Sequence, residues 1–213
     1  MKWPDLRPAL LTNLRRRPDR DVALQRYALL AKNYENATSK IRDVRRRAID
    51  LLALRSGETV FDVACGTGVM LPDMARRVGP QGCVIGIEQS APMAALARAA
   101  IRGIPQAQVH VCPIDRFVAP RPADALAFIY AHDVQQDPAA LAAVFAQARP
   151  GARVVAAGLC LLPWWRLPIN AWVLWGARHY LTTWHGLRRP WQPLLDSCPD
   201  LQIVERFHDG TTY

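Results

Sequence analysis

Five apolar runs of strand length follow one another along the middle of the chain, and segments of helical length or turns separate them. The runs cover residues 58–64, 83–87, 108–112, 123–130 and 152–159. Helices are predicted between them, one ending near Val78 and two more over residues 91–101 and 138–148. Strands that alternate with helices at this spacing predict βα units stacked on a parallel sheet with right-handed crossovers.

Both ends of the chain depart from this rhythm. Residues 21–54 place apolar side chains at helical spacing with arginines between them, which predicts an N-terminal helical lid. After Leu159 a tryptophan-rich segment, 161–191, precedes a predicted strand at 201–207 and a hairpin turn at 208–210. The predicted fold class is therefore α/β: a Rossmann-like parallel sheet with flanking helices, an N-terminal helical lid and an antiparallel C-terminal strand pair that is short or cut off at Tyr213.

The net charge is +9, from 27 basic and 18 acidic side chains, but it is concentrated in one region. Residues 1–50 hold 13 basic and 6 acidic side chains, so the rest of the chain is nearly neutral and a uniformly basic, histone-like chain is excluded. None of the five cysteines forms a Cys-x-x-Cys pair, which argues against a zinc site and a disulfide framework. No metal site is predicted, and an N-terminus without the apolar core of a signal peptide predicts a cytoplasmic protein.

A glycine-rich loop follows the first predicted strand, in the sequence Val-Phe-Asp-Val-Ala-Cys-Gly-Thr-Gly of residues 60–68. Such a loop lets a nucleotide-like ligand approach bare backbone. Met70 and Leu71 stand where a dinucleotide fold has its third glycine, and the lysine of a P-loop is absent. Asp62 would repel a pyrophosphate but suits a ligand with an ammonium group, and Glu88, which ends the second strand, suits the two hydroxyls of a ribose.

This loop resembles the hallmark of the class I S-adenosylmethionine-dependent methyltransferases, from which only Phe61 departs. The resemblance covers roughly residues 27–207 and implies a methyltransferase whose cofactor is S-adenosylmethionine. It implies that Asp62, Gly66 and Gly68 hold the methionine portion and that Glu88 holds the ribose. It further places Gln89 and Met93 at the adenine.

One part of the family pattern is absent. Many members have Gly-Asp-Ala-Glu after the third strand, whereas this chain has Cys-Pro-Ile-Asp at 112–115, so we expect Asp115 and the backbone of Ile114 to take over the adenine contact. The complete predicted cofactor site consists of Asp62, Ala64, Gly66, Gly68, Glu88, Gln89, Met93, Ile114, Asp115 and Tyr130. The resemblance implies one methyltransferase domain with four parts: the lid at 1–54, the cofactor-binding core at 55–160, a substrate-side insert at 161–200, and the last strand and hairpin at 201–213.

Three residues are predicted on the catalytic side. Tyr34, followed by Glu35, resembles the tyrosine-acid pair that closes over the cofactor in small-molecule members, although packing on a helix face explains Tyr34 equally well. His132 lies where the methyl group would point and is a candidate general base; a hydrogen-bonded loop histidine is the alternative. Asp133 is a candidate for attracting a cationic amine.

The insert holds six of the seven tryptophans, between Trp164 and Trp191, and helical spacing brings Trp172, Trp175 and His179 to one face. The run is too short and too broken by proline and arginine to span a bilayer, but tryptophan with arginine is typical of an interfacial helix. The alternative is that these rings roof the active site. A weaker resemblance to bacterial phospholipid N-methyltransferases implies that the arginines at 15–17 and 45–47 contact anionic lipid.

The predicted function is therefore methyl transfer to an apolar or amphiphilic small molecule, with the amine of a lipid-like acceptor preferred. C- or O-methylation of a quinone or other natural product is the alternative. An RNA methyltransferase and a non-catalytic cofactor-binding protein are further alternatives, and no nucleic-acid partner is expected. If the lipid interpretation is right, the protein contacts the inner face of the membrane through the arginines and the insert.

Overall fold

Five parallel strands in the order β3-β2-β1-β4-β5 form the sheet at the centre of the protein. The structure is a computed structural model that describes residues 13–213, so the first twelve residues of the predicted lid, and with them the expectation about a signal peptide, lie outside the described part. The strands are β1 (Thr59–Val63), β2 (Cys83–Glu88), β3 (Ala107–Val111), β4 (Ala123–Ile129) and β5 (Ala148–Ala157). This confirms the predicted α/β class with a Rossmann-like parallel sheet.

The helices account for the predicted lid, the crossovers and the insert. The helices are α1 (Arg20–Leu30), α2 (Tyr34–Ala37), α3 (Arg42–Leu52), α4 (Leu71–Val78), α5 (Ala91–Ala100), α6 (His132–Gln135), α7 (Pro138–Phe145), α8 (Leu167–Ala177) and α9 (Gln192–Ser197), and short 3₁₀ turns lie at Ala31–Asn33, Ser39–Ile41, Ile114–Arg116 and His208–Gly210. The segment predicted as helical over 21–54 thus consists of two long helices, α1 and α3, with the short helix α2 and two 3₁₀ turns between them. Ala53, with a φ of 48°, ends α3 in the left-handed region.

Apolar side chains cover both faces of the sheet. On one face, residues of α3, α4 and α5 such as Ile49, Met74 and Ala97 pack on β1 and β2. On the other face, Leu141 of α7 and Leu194 of α9 belong to a cluster around the sheet side chains. Every residue of β1 and β2 is buried, which explains why these strands appear in the sequence as continuous apolar runs.

The start of β5 differs from the sequence-based prediction. A strand is predicted at 152–159, but β5 begins four residues earlier, at Ala148, with a shift in its register against β4 between Ala123 and Ala125. Gly151 has a φ of 79°, so the added first part of the strand is irregular. The preceding helix, α7, correspondingly ends at Phe145.

The predicted C-terminal strand at 201–207 is wrong. Residues 201–206 have no regular secondary structure, and Phe207 forms only an isolated antiparallel bridge with Thr212. The physical reason is that the apolar neighbours Ile203 and Val204 are both exposed, so the segment buries no alternating face. The last residues instead pair with the extension of β5, through Gly158 with Tyr213 and through a hydrogen bond from the Cys160 amide to the carbonyl of Thr211.

Candidate active site

The carboxyl ends of β1, β2 and β4 open into a cavity that the N-terminal helices cover. The strand order reverses at β1, which lies between β2 and β4, and ligands of open α/β sheets bind at such a reversal. The cavity is lined by the loop after β1, by the end of β2 and by the segment after β4, together with residues of α1 and α3. The local sequence therefore brings the glycine loop and Glu88 to one place.

The backbone at this edge of the sheet adopts left-handed conformations at four positions. Gly66 and Gly68 have φ values of 58° and 71°, which glycine adopts without strain. Ala64 and Tyr130 also have φ values of 57°, although they carry side chains. They follow the neighbouring strands β1 and β4, and non-glycine residues in this region concentrate at functional sites.

Gly68 is required by packing as well as by its conformation. A Cβ atom at this position would lie 2.7 Å from the Cα atom of Ala97 in α5. The loop therefore lies directly against α5, and any other residue would push the loop and the helix apart.

Asp62 is a buried carboxyl group at the end of β1. The pKa of Asp62 is raised to about 7, chiefly by burial; the guanidinium of Arg45 opposes the shift and the neighbouring Glu88 adds to it. A cationic group of a ligand would restore the ionised carboxylate. The position is thus suited to bind an ammonium group.

Arg45 connects the lid to the glycine loop. It is buried, lines the cavity and donates a hydrogen bond of 3.0 Å to Glu35. The other carboxylate oxygen of Glu35 accepts a hydrogen bond from the hydroxyl of Thr67 in the glycine loop. The lid is therefore held on the loop by a chain of hydrogen bonds, and Arg45 brings a positive charge to the same cavity as Asp62.

Glu88 lies at the end of β2 and holds the loop from the opposite side. Its two oxygens accept hydrogen bonds from the backbone amides of Gly66 (2.9 Å) and Ser90 (2.7 Å). Burial raises the pKa of Glu88. Each carboxylate oxygen has a further lone pair, so Glu88 retains acceptor capacity for two hydroxyl groups of a ligand.

A second cavity of about 280 Å³ adjoins the first beneath α8. Four tyrosines line both cavities, namely Tyr27, Tyr34, Tyr130 and Tyr180. The ring of Tyr34 lies 6.1 Å from that of Tyr27 and 6.0 Å from that of Tyr180. Burial raises the pKa values of Tyr34 and Tyr130 to about 12, so these hydroxyls stay protonated at neutral pH.

His132 begins α6 and also lines both cavities. Its Nε2 lies 3.1 Å from the carbonyl oxygen of His185, which accepts hydrogen bonds only, so this nitrogen carries the proton. Burial lowers the pKa of His132 to about 4, and the ring is neutral at pH 7. Nδ1 is then a lone-pair acceptor, and it is buried without a hydrogen-bond partner among the residues that the structure describes.

Asp133 lines the first cavity, but its carboxylate is engaged by the insert. Its Oδ2 atom accepts hydrogen bonds from the backbone amide of Thr182 at 3.0 Å and from the Thr182 hydroxyl at 2.6 Å. Burial raises the pKa of Asp133 to about 6. The contact the structure shows for Asp133 is thus the anchoring of the insert beside the cavity.

Most of the predicted site residues line the first cavity. The cavity-lining members of the prediction are Tyr34, Asp62, Ala64, Gly66, Glu88, Gln89, Ile114, Tyr130, His132 and Asp133. The other three lie elsewhere: Gly68 packs on α5, Met93 is fully buried within α5, and Asp115 turns outward to an ion pair of 2.7 Å with Arg20.

Sequence reasoning missed Arg45, Thr67, Tyr27 and Tyr180 as cavity residues. Arg45 was expected to contact lipid, and this is wrong because its side chain is buried against Glu35. No local motif marks Arg45, Tyr27 and Tyr180, because they come from the lid and the insert, whereas Thr67 lies inside the glycine-rich motif itself. Of the other arginines predicted to contact lipid, Arg47 pairs with Glu205.

Comparison with known proteins places this site in a defined fold. Residues 60–151 match a family model described as a methyltransferase domain. The chain is 48% identical over 65 residues to nocamycin O-methyltransferase of Saccharothrix syringae, which covers 30% of this chain and 23% of that protein. It is 44% identical over 54 residues to 2-phytyl-1,4-naphtoquinone methyltransferase of Thermosynechococcus vestitus, which covers 25% of this chain and 24% of that protein.

These relatives are matched over about a quarter of their length, and similar solved structures extend the comparison to the fold. The complex of DhpI with SAH has a TM-score of 0.54 at 21% identity and covers 66% of this chain and 69% of that one. A SAM-dependent methyltransferase from Geobacter sulfurreducens in complex with S-adenosyl-L-homocysteine has a TM-score of 0.51 at 20% identity, covering 75% and 65%. The chain therefore has the class I methyltransferase fold.

Proposed function

We propose that this protein, whose residues 60–151 form a methyltransferase domain within the class I fold, moves a methyl group from S-adenosylmethionine to a hydroxyl or enol group of an apolar small molecule. The observation that carries the proposal is the pair of adjoining cavities. One is lined by buried charged groups around the glycine loop, and the other is lined by tyrosines and apolar residues.

The first cavity has the donors and acceptors that the cofactor needs. Asp62 suits the ammonium of the methionine portion, and the guanidinium of Arg45 suits its carboxylate. The acceptor capacity left on Glu88 suits the ribose hydroxyls. When bound, S-adenosylmethionine supplies a methyl group activated by a sulfonium.

The second cavity favours an uncharged acceptor. It is lined chiefly by aromatic and aliphatic side chains, and among the described residues no aspartate or glutamate lines it. The binding of an apolar ring system in this cavity is favourable because it removes apolar surface from water. The tyrosine rings provide flat surfaces against which such a ring system can pack.

His132 provides a proton acceptor at the junction of the two cavities. Its neutral Nδ1 takes the proton of the acceptor hydroxyl while the bond from the acceptor oxygen to the methyl carbon forms and the bond from that carbon to sulfur breaks. The products are the methyl ether and the thioether of the cofactor. For an enol, the new bond forms at carbon, and the same nitrogen accepts the proton.

N-methylation of a lipid-like amine is the second candidate, and the tyrosine cluster favours it. The faces of Tyr27, Tyr34 and Tyr180 are suited to a cation. The carboxylate of Asp133, predicted to attract the amine, is instead bonded to Thr182. For this reason the hydroxyl or enol acceptor is preferred.

A labelled-methyl assay separates the candidates. The protein is incubated with methyl-labelled S-adenosylmethionine and, in separate reactions, a hydroxylated naphthoquinone, a long-chain primary amine and RNA. Label in the quinone product, and its loss in His132→Gln with unchanged cofactor affinity, is the expected result. Label in the amine with His132→Gln fully active would replace the first candidate by the second, and label in RNA alone would overturn both.

A further inference from the structure

The turn before α8 and the outer face of α8 expose an unusual number of large apolar side chains. We name this surface the tryptophan face, and it consists of Trp164, Trp165, Leu167, Trp172 and Trp175. Each of these side chains is between 61% and 70% exposed. Single exposed apolar residues are common, but a contiguous aromatic group marks an interaction surface.

The distribution of polar and apolar residues in α8, the helix that carries most of the face, is the reverse of that in an ordinary surface helix. Its exposed positions are occupied by apolar residues or glycine, namely Leu167, Pro168, Ala171, Trp172, Trp175 and Gly176. Its polar residue, Asn170, is buried, where the side-chain amide bonds the backbone amide and carbonyl of Leu162. A surface helix normally presents polar residues to water, so α8 is built to face an apolar phase.

The charged residues of the insert have one sign. Residues 161–191 contain no aspartate or glutamate, and they include four arginines. Arg166 is exposed and lies between Trp165 and Leu167 in the chain, and the guanidinium carbon of Arg178 lies 3.6 Å from the ring centroid of Trp175. Arginine beside exposed tryptophan is the arrangement of interfacial helices that bind anionic lipid.

The tryptophan face is continuous with the second cavity. Trp172, Val173 and Gly176 line that cavity from α8, while Lys40 and Ile41 line it from the lid. The cavity therefore lies directly behind the exposed helix. An apolar acceptor held in a lipid layer would be next to this cavity when the face contacts that layer.

We propose that the tryptophan face docks onto an anionic phospholipid surface, with α8 lying in the interface and the second cavity receiving its acceptor from the lipid. Within residues 13–213 the protein has no helix long and apolar enough to cross a membrane, so the contact is with one leaflet. The docking rests on the exposed residues alone. Only the entry of the acceptor from the lipid rests on the proposed methyl transfer.

Sedimentation with vesicles tests the docking. The protein is mixed with sucrose-loaded vesicles of phosphatidylcholine alone or of phosphatidylcholine with phosphatidylglycerol. Sedimentation with the anionic vesicles and a weaker association with the neutral ones are expected, because the arginines contribute only with anionic lipid. Replacing Trp164, Trp165 and Trp175 together by serine is expected to lower the partition coefficient about tenfold or more.

Two other exposed apolar residues provide the matched control. Val118→Ser with Leu96→Ser removes apolar surface outside the face, and this double variant is expected to bind vesicles like the unmodified protein. Circular dichroism and S-adenosylhomocysteine affinity show that each variant is folded, independently of any methyl transfer. The proposed function is measured separately, so the failure of one leaves the other standing.

Three results would overturn the docking. These are an unmodified protein that stays in the supernatant with both kinds of vesicle, a tryptophan variant that sediments like the unmodified protein, or a control variant that loses binding equally. Light scattering without lipid tests whether a second copy of the chain, instead of lipid, covers the tryptophan face. A dimer that the tryptophan substitutions turn into a monomer, without vesicle binding, would assign the face to a second copy of the chain.

Discussion

The two cavities of the candidate site are lined by different parts of the fold. The first is made at the ends of β1 and β2, where Glu88 is held by backbone amides and Asp62 lies buried at a strand end. The second is made where the lid meets the insert, from side chains such as Tyr27, Val173 and Tyr180. A binding site made by sheet ends and a glycine loop is fixed by local sequence, whereas one made by distant helices depends on how those helices pack.

The largest effect is expected at the charged cavity. Asp62→Asn removes the carboxylate for the cofactor's ammonium and is expected to weaken S-adenosylhomocysteine binding about 100-fold, or about 3 kcal/mol. The fold should persist, because an amide is no costlier to bury than a carboxyl whose pKa is already raised by burial. Titration calorimetry with Asp73→Asn, which removes a carboxylate of α4 that pairs with Arg76 and Arg77 outside the cavity, provides the comparison, and equal affinities in the two variants would contradict the assignment.

The next effect concerns the contact between the glycine loop and α5. Gly68→Ala places a methyl group 2.7 Å from the Cα of Ala97 and is expected to cost about 2 kcal/mol of unfolding free energy. Gly57→Ala is the matched control, since its φ of 85° is also left-handed but its Cβ meets open space. It should cost about 1 kcal/mol from conformation alone. Urea denaturation that gave both variants the same loss would remove the packing argument.

The pH dependence of cofactor binding follows from the raised pKa of Asp62. Because that pKa is about 7, lowering the pH from 8 to 6 protonates the carboxyl group in the free protein, and the ammonium then has no counter-charge. The affinity for S-adenosylhomocysteine is expected to fall by up to about tenfold per pH unit below 7. Asp62→Asn should show a flat profile over this range, and a slope that persists in this variant would assign the titration to another group.

The smallest effect is expected at the apolar cavity. Val173→Phe narrows this cavity and is expected to raise the KM for the acceptor about tenfold, because one misplaced methylene or ring is worth about 1–3 kcal/mol in an apolar pocket. The cofactor Kd should stay within about twofold of its original value. Leu96→Phe, on the exposed side of α5, is the control, and a parallel loss of cofactor affinity in Val173→Phe would show that the two cavities act as one.

The sequence predicted the first cavity well because its signals are local. Asp62, Gly66 and Glu88 belong to two strands and a loop, whose positions follow from the alternation of strands and helices along a short part of the chain. The structure brings all three residues to the cavity. Asp115, which the sequence placed at the adenine, is exposed and does not line the cavity; it pairs with Arg20 of the lid, which does line it.

The side chain that α3 contributes to the first cavity escaped prediction for the same physical reason. Arg45 is the first of three consecutive arginines in the sequence. Only the packing of α3 against the glycine loop distinguishes it from its exposed neighbour Arg46. The absent C-terminal strand is a similar case. Residues 201–206 are apolar enough to suggest a strand. However, β5 forms its backbone hydrogen bonds with β4, and the residues that extend β5 form theirs with the last residues of the chain.

The most direct test of the division between the two cavities is a crystal structure of the protein with S-adenosylhomocysteine. The amino acid portion is expected between Asp62 and Arg45, the ribose hydroxyls at Glu88, and the sulfur directed towards the tyrosines of the second cavity. Density for the ligand in the second cavity, or an amino acid portion that contacts neither Asp62 nor Arg45, would contradict the account.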